Sequence, residues 1–159
     1  DLDPGVTLRF LAEARGDKVA VEKRLNNRSG VLGLSGTSAD IRDALEAVAR
    51  DPASGRARVT ADVYLWRLKK YLGAYLALVG DAQAVIFTDT IGETVPEVRE
   101  AVCSGMDVFG IAIDHERNTG ADQLPADVAT ADSRVRVWAV ATNEEISIAR
   151  STYKAQCTS

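Results

Sequence analysis

"AVIFTDTIGETVPEVREAV", residues 84–102, is the stretch whose reading decides the fold. Four apolar residues run into a polar turn containing Gly92, and a helix follows. Strand, glycine turn and helix in that order commonly build an anion or nucleotide site, because the first N–H groups of a helix have no partner within it. Thr94 and Glu97, with Pro96 between them, have the spacing of a capping box, which predicts a helix starting at Thr94. Val98, Val102 and Met106 then share its buried face, and Gly105 ends it. Asp89 and Thr90 occupy the turn where a close backbone approach would favour glycine.

Toward the C-terminus, "DVFGIAID" reads as a short strand and "HERNTGADQLPADVATADS" as a loop. "RVRVWAVA" alternates as a second strand does, and Thr142 with Glu145 repeats the capping-box spacing before a last helix. Toward the N-terminus, "DAQAVIFTD" reads as a buried strand. It follows the longest predicted helix, residues 61–79, which sets Leu65, Leu68, Leu72, Leu76 and Val79 on one core-facing stripe. "DPASGRAR" is a surface loop. Ser38 is placed to cap a helix in which Ile41, Leu45 and Val48 recur at helical spacing. In "NNRSGVLGLSGTSAD" glycines interleave with apolar residues, the pattern of a buried, irregular segment. Asp3-Pro4 opens a first helix with Leu8 and Leu11 on one face and a stop at Gly16, and a second short helix covers residues 18–25. The order, helices and then strand–helix–strand–helix, is that of an α/β fold with parallel strands joined by a right-handed crossover.

Composition narrows the function. The 159 residues suffice for one domain, and 46% hydrophobic with 26% charged residues is the balance of a soluble globular protein. A net charge of −4 argues against a nucleic-acid surface, and the one dense basic patch, Arg67, Lys69 and Lys70, reads as a solvated helix face. Two cysteines, Cys103 and Cys157, make no disulfide framework, and with one histidine, His115, they are too few for a zinc site. No apolar run has the length of a membrane span and no signal-peptide pattern is seen, so the expected compartment is the cytoplasm. A start at Asp1, in a turn and without methionine, gives the expectation of a fragment.

In open α/β sheets, ligands bind beyond the carboxyl ends of parallel strands. "TDTIGET" and "ATNEE" hold that position, and they meet in one crevice if their strands are neighbours. Glu145, third in its helix after Thr142, is expected to fold back onto the cap N–H. Glu144 then points elsewhere, free to meet a cation or simply stabilised by the helix dipole. Asp40 stands under the same alternative, Arg42 reads as a solvated helix charge, and His115 as a loop residue without a nucleophile.

The strings "RSGVLGLSGTSADIRD", "LKKYLGAYLALVGDAQAVIFT", "PEVREAVCSGMDVFGIAIDHERN" and "ATNEEISIAR" resemble the C-terminal part of the acetate kinases, in the sugar-kinase/actin superfamily. The resemblance runs nearly end to end. It implies a ribonuclease H-like C-terminal nucleotide-binding domain over residues 1–159, without the family's N-terminal domain and initial strand meander. The implied activity is phosphoryl transfer between ATP and acetate, giving acetyl phosphate and ADP with Mg2+ or Mn2+, in a cytoplasmic homodimer. The resemblance assigns Asp40, Ile41 and Arg42 to the adenosine part of the nucleotide. It assigns Thr90, Ile91, Gly92, Glu93 and Thr94 to a second nucleotide loop, and Glu144 to the magnesium. It places no catalytic residue in this chain, which alone is expected to be inactive. The family's "FTGGIGEN" is "FTDTIGET" here, so weaker nucleotide binding is expected, with a strained threonine at position 90 and a repelling charge at Asp89. Two alternatives stand beside this reading: a non-catalytic interaction or dimerisation remnant using the 61–79 helix, and a propionate kinase.

Overall fold

A computed structural model describes residues 2–157. The chain divides into two compact units, Asp1–Trp66 and Arg67–Ser159.

The first unit is helical. α1 (Pro4–Glu13) opens as expected, with the Asp3 carboxylate accepting from the Gly5 N–H and Pro4 in the first turn, where its missing donor costs nothing. Arg15 and Gly16 take positive φ, and the Gly16 N–H donates back to the Leu11 carbonyl. α2 (Lys18–Asn27), capped by Asp17, runs past the predicted end at residue 25. The glycine-rich segment is not buried and irregular but holds a short helix, α3 (Gly30–Ser35), exposed or half-buried throughout. Gly36 explains the spacing: at φ 75° it makes the left-handed turn that ends α3. α4 (Ile41–Arg50) is capped by Asp40 and not by Ser38, whose hydroxyl instead accepts from the Asp40 N–H. α5 (Gly55–Val79) begins inside the predicted surface loop, where Arg56 donates to the Leu34 and Gly33 carbonyls, and Thr60, just past that loop, is wholly buried.

In the second unit α5 buries Leu76 and half-buries Leu72, whereas Leu68 and Val79 are exposed, so the predicted stripe is shorter than its sequence period. The chain continues through β1 (Ala84–Phe87), α6 (Asp89–Thr94), α7 (Pro96–Cys103), a 3-10 turn (Asp107–Phe109), α8 (His115–Thr119), β2 (Ala126–Asp127), β3 (Arg136–Ala139) and α9 (Glu144–Cys157). β1 and β3 are parallel neighbours, Ala84 opposite Arg136 and Phe87 opposite Ala139, as the strand–helix–strand order required. The sheet is nevertheless mixed, because β2 joins β3 antiparallel in the order β1-β3-β2. β2 and α8 lie within the predicted loop. "DVFGIAID" makes the 3-10 turn and two single bridges, Ile111 with Val135 and Ile113 with Ala129, and not a strand. β1 is half-exposed and not buried, with Ile86 60% exposed on the sheet edge.

The core packs Leu76, Met106, Ile111, Val128, Val135 and Val137 around the sheet. Cys103 lies among them, and burial pushes its thiol up to about 12, so it serves as a small apolar filler. Among the described residues no helix is long and apolar enough to cross a membrane.

Candidate functional site

Parallel pairing brings the carboxyl ends of β1 and β3 to the same side, and the Val140 N–H donates to the Phe87 carbonyl where the strands end. Beyond them opens a cleft of about 360 Å3 lined by Asp89, Thr90, Glu93, Thr142, Asn143, Glu144 and Glu145. Thr90 and Glu144 therefore share one cleft, as the two strand-end turns led us to expect.

The turn "TDTIGET" differs from its reading. It winds into a helix of its own, α6, so Thr94 ends that helix instead of capping the next one. The Thr94 hydroxyl donates to the Thr90 carbonyl, and α7 starts after Val95 with Pro96 in its first turn and no side-chain cap. The left-handed residue is Asp89, at φ 66°, and not Thr90. The strain expected of a threonine thus falls on an aspartate, a residue that tolerates this region better because its short polar side chain bonds locally. Asp89 Oδ1 accepts from the Thr90 N–H at 2.7 Å. Ile91 is half-buried and Gly92 buried.

Glu93 spans the two turns. Its Oε1 accepts from the Thr142 N–H at 2.7 Å and from the Thr142 hydroxyl at 2.8 Å. This displaces the predicted second capping box, because the N–H that Glu145 was to take is already used. Asn143 caps α9 instead, its Oδ1 accepting from the Ile146 N–H. The Thr142 backbone donor, then its hydroxyl, hold the Glu93 carboxyl below its ordinary 4.5. A carboxyl whose folded pKa is depressed stabilises the fold above the unfolded pKa, and the contribution is lost as pH falls through the folded value. The melting-temperature gap between the unmodified chain and Glu93→Gln is therefore expected to be constant above about pH 5 and to close at lower pH. A gap independent of pH from 6 to 3 would show that this bond does not depend on the charge.

Arg99 is the residue that sequence reasoning missed. It sits on α7, 1% exposed, among the apolar positions Val98, Val102 and Cys103. Nη1 donates to the Gly92 and Glu93 carbonyls at 2.7 and 3.0 Å, Nη2 to the Asn118 carbonyl at 2.9 Å, and Nε to Asn118 Oδ1 at 2.7 Å. The buried Asn118 in turn donates through Nδ2 to the Pro96 carbonyl. Burial lowers the pKa of Arg99, which still leaves a guanidinium charged at neutral pH.

In the first unit, Asp40 and Arg42 pair at the start of α4. Arg42 Nε and Nη2 donate to the Asp40 carboxylate, Asp40 Oδ1 also accepts from the Arg42 N–H, and the guanidinium holds the Asp40 carboxyl below its usual range. Asp40 is thus a cap and Arg42 its partner, not a free solvated charge. Ile41 is buried.

Residues 1–150 match the acetokinase family. The chain belongs to that family. It is 40% identical over 155 residues to the acetate kinase of Heliobacterium modesticaldum, covering 97% of this chain and 38% of that protein. The acetate kinase of Moorella thermoacetica is 42% identical over 153 residues. Among solved structures, Porphyromonas gingivalis acetate kinase superposes with a TM-score of 0.83 at 37% identity, over 97% of this chain and 38% of that one. A propionate kinase from Francisella tularensis, 24% identical with a TM-score of 0.79 over 91% of this chain and 36% of that one, shares the fold. The chain spans about 38% of the length of the acetokinases it matches.

Proposed function

We propose that this chain supplies the nucleotide and magnesium half of a carboxylate kinase site, in which a phosphoryl group passes between ATP and acetate to give acetyl phosphate and ADP. On this reading residues 1–159 are the C-terminal, ribonuclease H-like domain of a cytoplasmic, homodimeric acetokinase. One observation carries it: in a chain of this family, the turns after two parallel strands line a single acidic cleft and are tied together by Glu93.

The cleft suits a magnesium–nucleotide better than a bare ion. Among the described residues no group of three or more His, Cys, Asp or Glu is placed to hold a metal. Magnesium bound with a nucleotide takes one or two carboxylates, with phosphate oxygens and water completing its shell. Exposed Glu144 fits that requirement, whereas Glu93 is committed to Thr142. When bound, the ion would neutralise phosphate charge, and the chain's own task would be positioning. Gly92, Glu93 and Thr94 supply the frame of the loop, and Asp89 and Thr90 face the ligand. The resemblance assigns the adenosine part to Asp40, Ile41 and Arg42. A second reading, an interaction module, is favoured by the exposed Tyr75, Leu78 and Val79 on α5.

Calorimetric titration of ADP with magnesium into the full chain separates the two. Weak binding is expected, tightened about five- to tenfold by Asp89→Gly, which removes left-handed strain of about 1 kcal/mol and a charge repelling the phosphates. Thr90→Gly should give no such gain, since φ at Thr90 is ordinary. Glu144→Ala should weaken only the magnesium-dependent part. Absence of binding in every form would leave the interaction module as the reading.

A further inference from the structure

We infer that Arg99, braced by Asn118, is a positioning residue that holds α6 in register with the second strand-end turn and so sets the width of the proposed nucleotide cleft. A helix leaves its last carbonyls without intrahelical donors, and in a helix as short as α6 they include most of the element. Arg99 takes two of them, on Gly92 and Glu93, from beneath the cleft. The same Glu93 reaches across the cleft through its carboxylate to Thr142. One continuous chain of bonds therefore runs from Asn118 through the guanidinium to the Glu93 backbone, and on through its side chain to the opposite wall.

The position argues for that role. An apolar residue would complete the buried face of α7 at much lower desolvation cost, because no carboxylate pairs with Arg99 among the described residues. What the guanidinium provides, and an apolar side chain cannot, is a planar fork with fixed donor directions. Its bonds go to backbone carbonyls and to Asn118, so it fixes where α6 lies and is poorly placed to act on a ligand directly.

The inference rests on the nucleotide reading for its purpose but not for its geometry, so two measurements are paired on the full chain. Residue-resolved hydrogen exchange without nucleotide compares residues 90–95 and Thr142 with Val137 and Ala139 of β3. Arg99→Lys keeps the charge and loses the fork; it is expected to speed exchange about tenfold at α6 and Thr142 while β3 is unchanged. It should weaken the binding of ADP with magnesium about tenfold. Unchanged exchange at α6, or an equal rise in β3, would overturn the positioning role, and so would localised exchange with unaltered affinity. Localised exchange in a chain whose unmodified form binds no nucleotide would sustain the clamp and overturn the nucleotide reading. Should Arg99→Lys fail to fold, Asn118→Ala, which removes the brace and leaves the guanidinium, is read by the same outcomes.

Discussion

Arg99→Leu is expected to lower the stability of the second unit by about 3–5 kcal/mol, the loss typical of a broken buried polar network. Leucine fills part of the volume, so the penalty is not chiefly a cavity. It comes from the acceptors left behind: the Gly92, Glu93 and Asn118 carbonyls and Asn118 Oδ1 all face the guanidinium. An unpaired buried acceptor costs about 1–3 kcal/mol, and partial access to water near the cleft reduces the sum. Total stabilities of about 5–15 kcal/mol make this a large fraction of what the unit has. Denaturant unfolding followed by circular dichroism, with β3 exchange as a check on the second unit, measures it. A loss below about 1 kcal/mol would mean that water or a relaxed backbone replaces the arginine without difficulty.

Much of the second unit was legible because its signals are local. The alternation of β3 and the apolar spacing Val98–Val102 each report burial on one side of an element and are found there, whereas β1 is a strand but half-exposed at the sheet edge, and Met106, though buried, lies beyond the end of α7. The joint cleft followed from topology alone, since parallel neighbours must end on the same side. The capping boxes failed for one common reason. A Thr-x-x-Glu spacing states which bonds can form locally, not which win against a long-range partner. Glu93, 49 residues from Thr142, took the donor that Glu145 was to take. The turn at 89–94 closed into a helix that used Thr94 internally, toward Thr90. Arg99 was illegible because a buried arginine looks, in sequence, like any solvated charge on an amphipathic helix. Its acceptors are backbone carbonyls, which carry no residue-type signal. In the first unit the glycines of "SGVLGLSG" were visible, but their use at the ends of α3 depends on φ, which sequence does not state.

Gly92 separates a packing role from a ligand role, and the second large effect is expected there. A Cβ at position 92 would lie 3.1 Å from the Phe87 carbonyl carbon and 3.2 Å from the Phe87 Cβ. Phe87 ends β1 and is in register with Ala139 of β3, so its backbone cannot retreat without spoiling the sheet at the mouth of the cleft. Against this stands a gain: alanine is better than glycine inside a helix by about 1 kcal/mol. Overpacking against rigid atoms costs about 1–3 kcal/mol, so Gly92→Ala should be net destabilising by about 1 kcal/mol. Gly92→Val recovers less helix propensity and adds two more methyl groups to the same contact, and about 3 kcal/mol is expected. If Gly92 instead existed only to let a nucleotide approach the backbone, both variants would keep or raise the stability of the nucleotide-free chain, and only affinity would fall. Urea unfolding of the two variants without nucleotide decides between these. A valine variant as stable as the unmodified chain would mean that α6 can lift away from β1, and that the cleft is held by Arg99 and Glu93 rather than by the close approach of helix and strand.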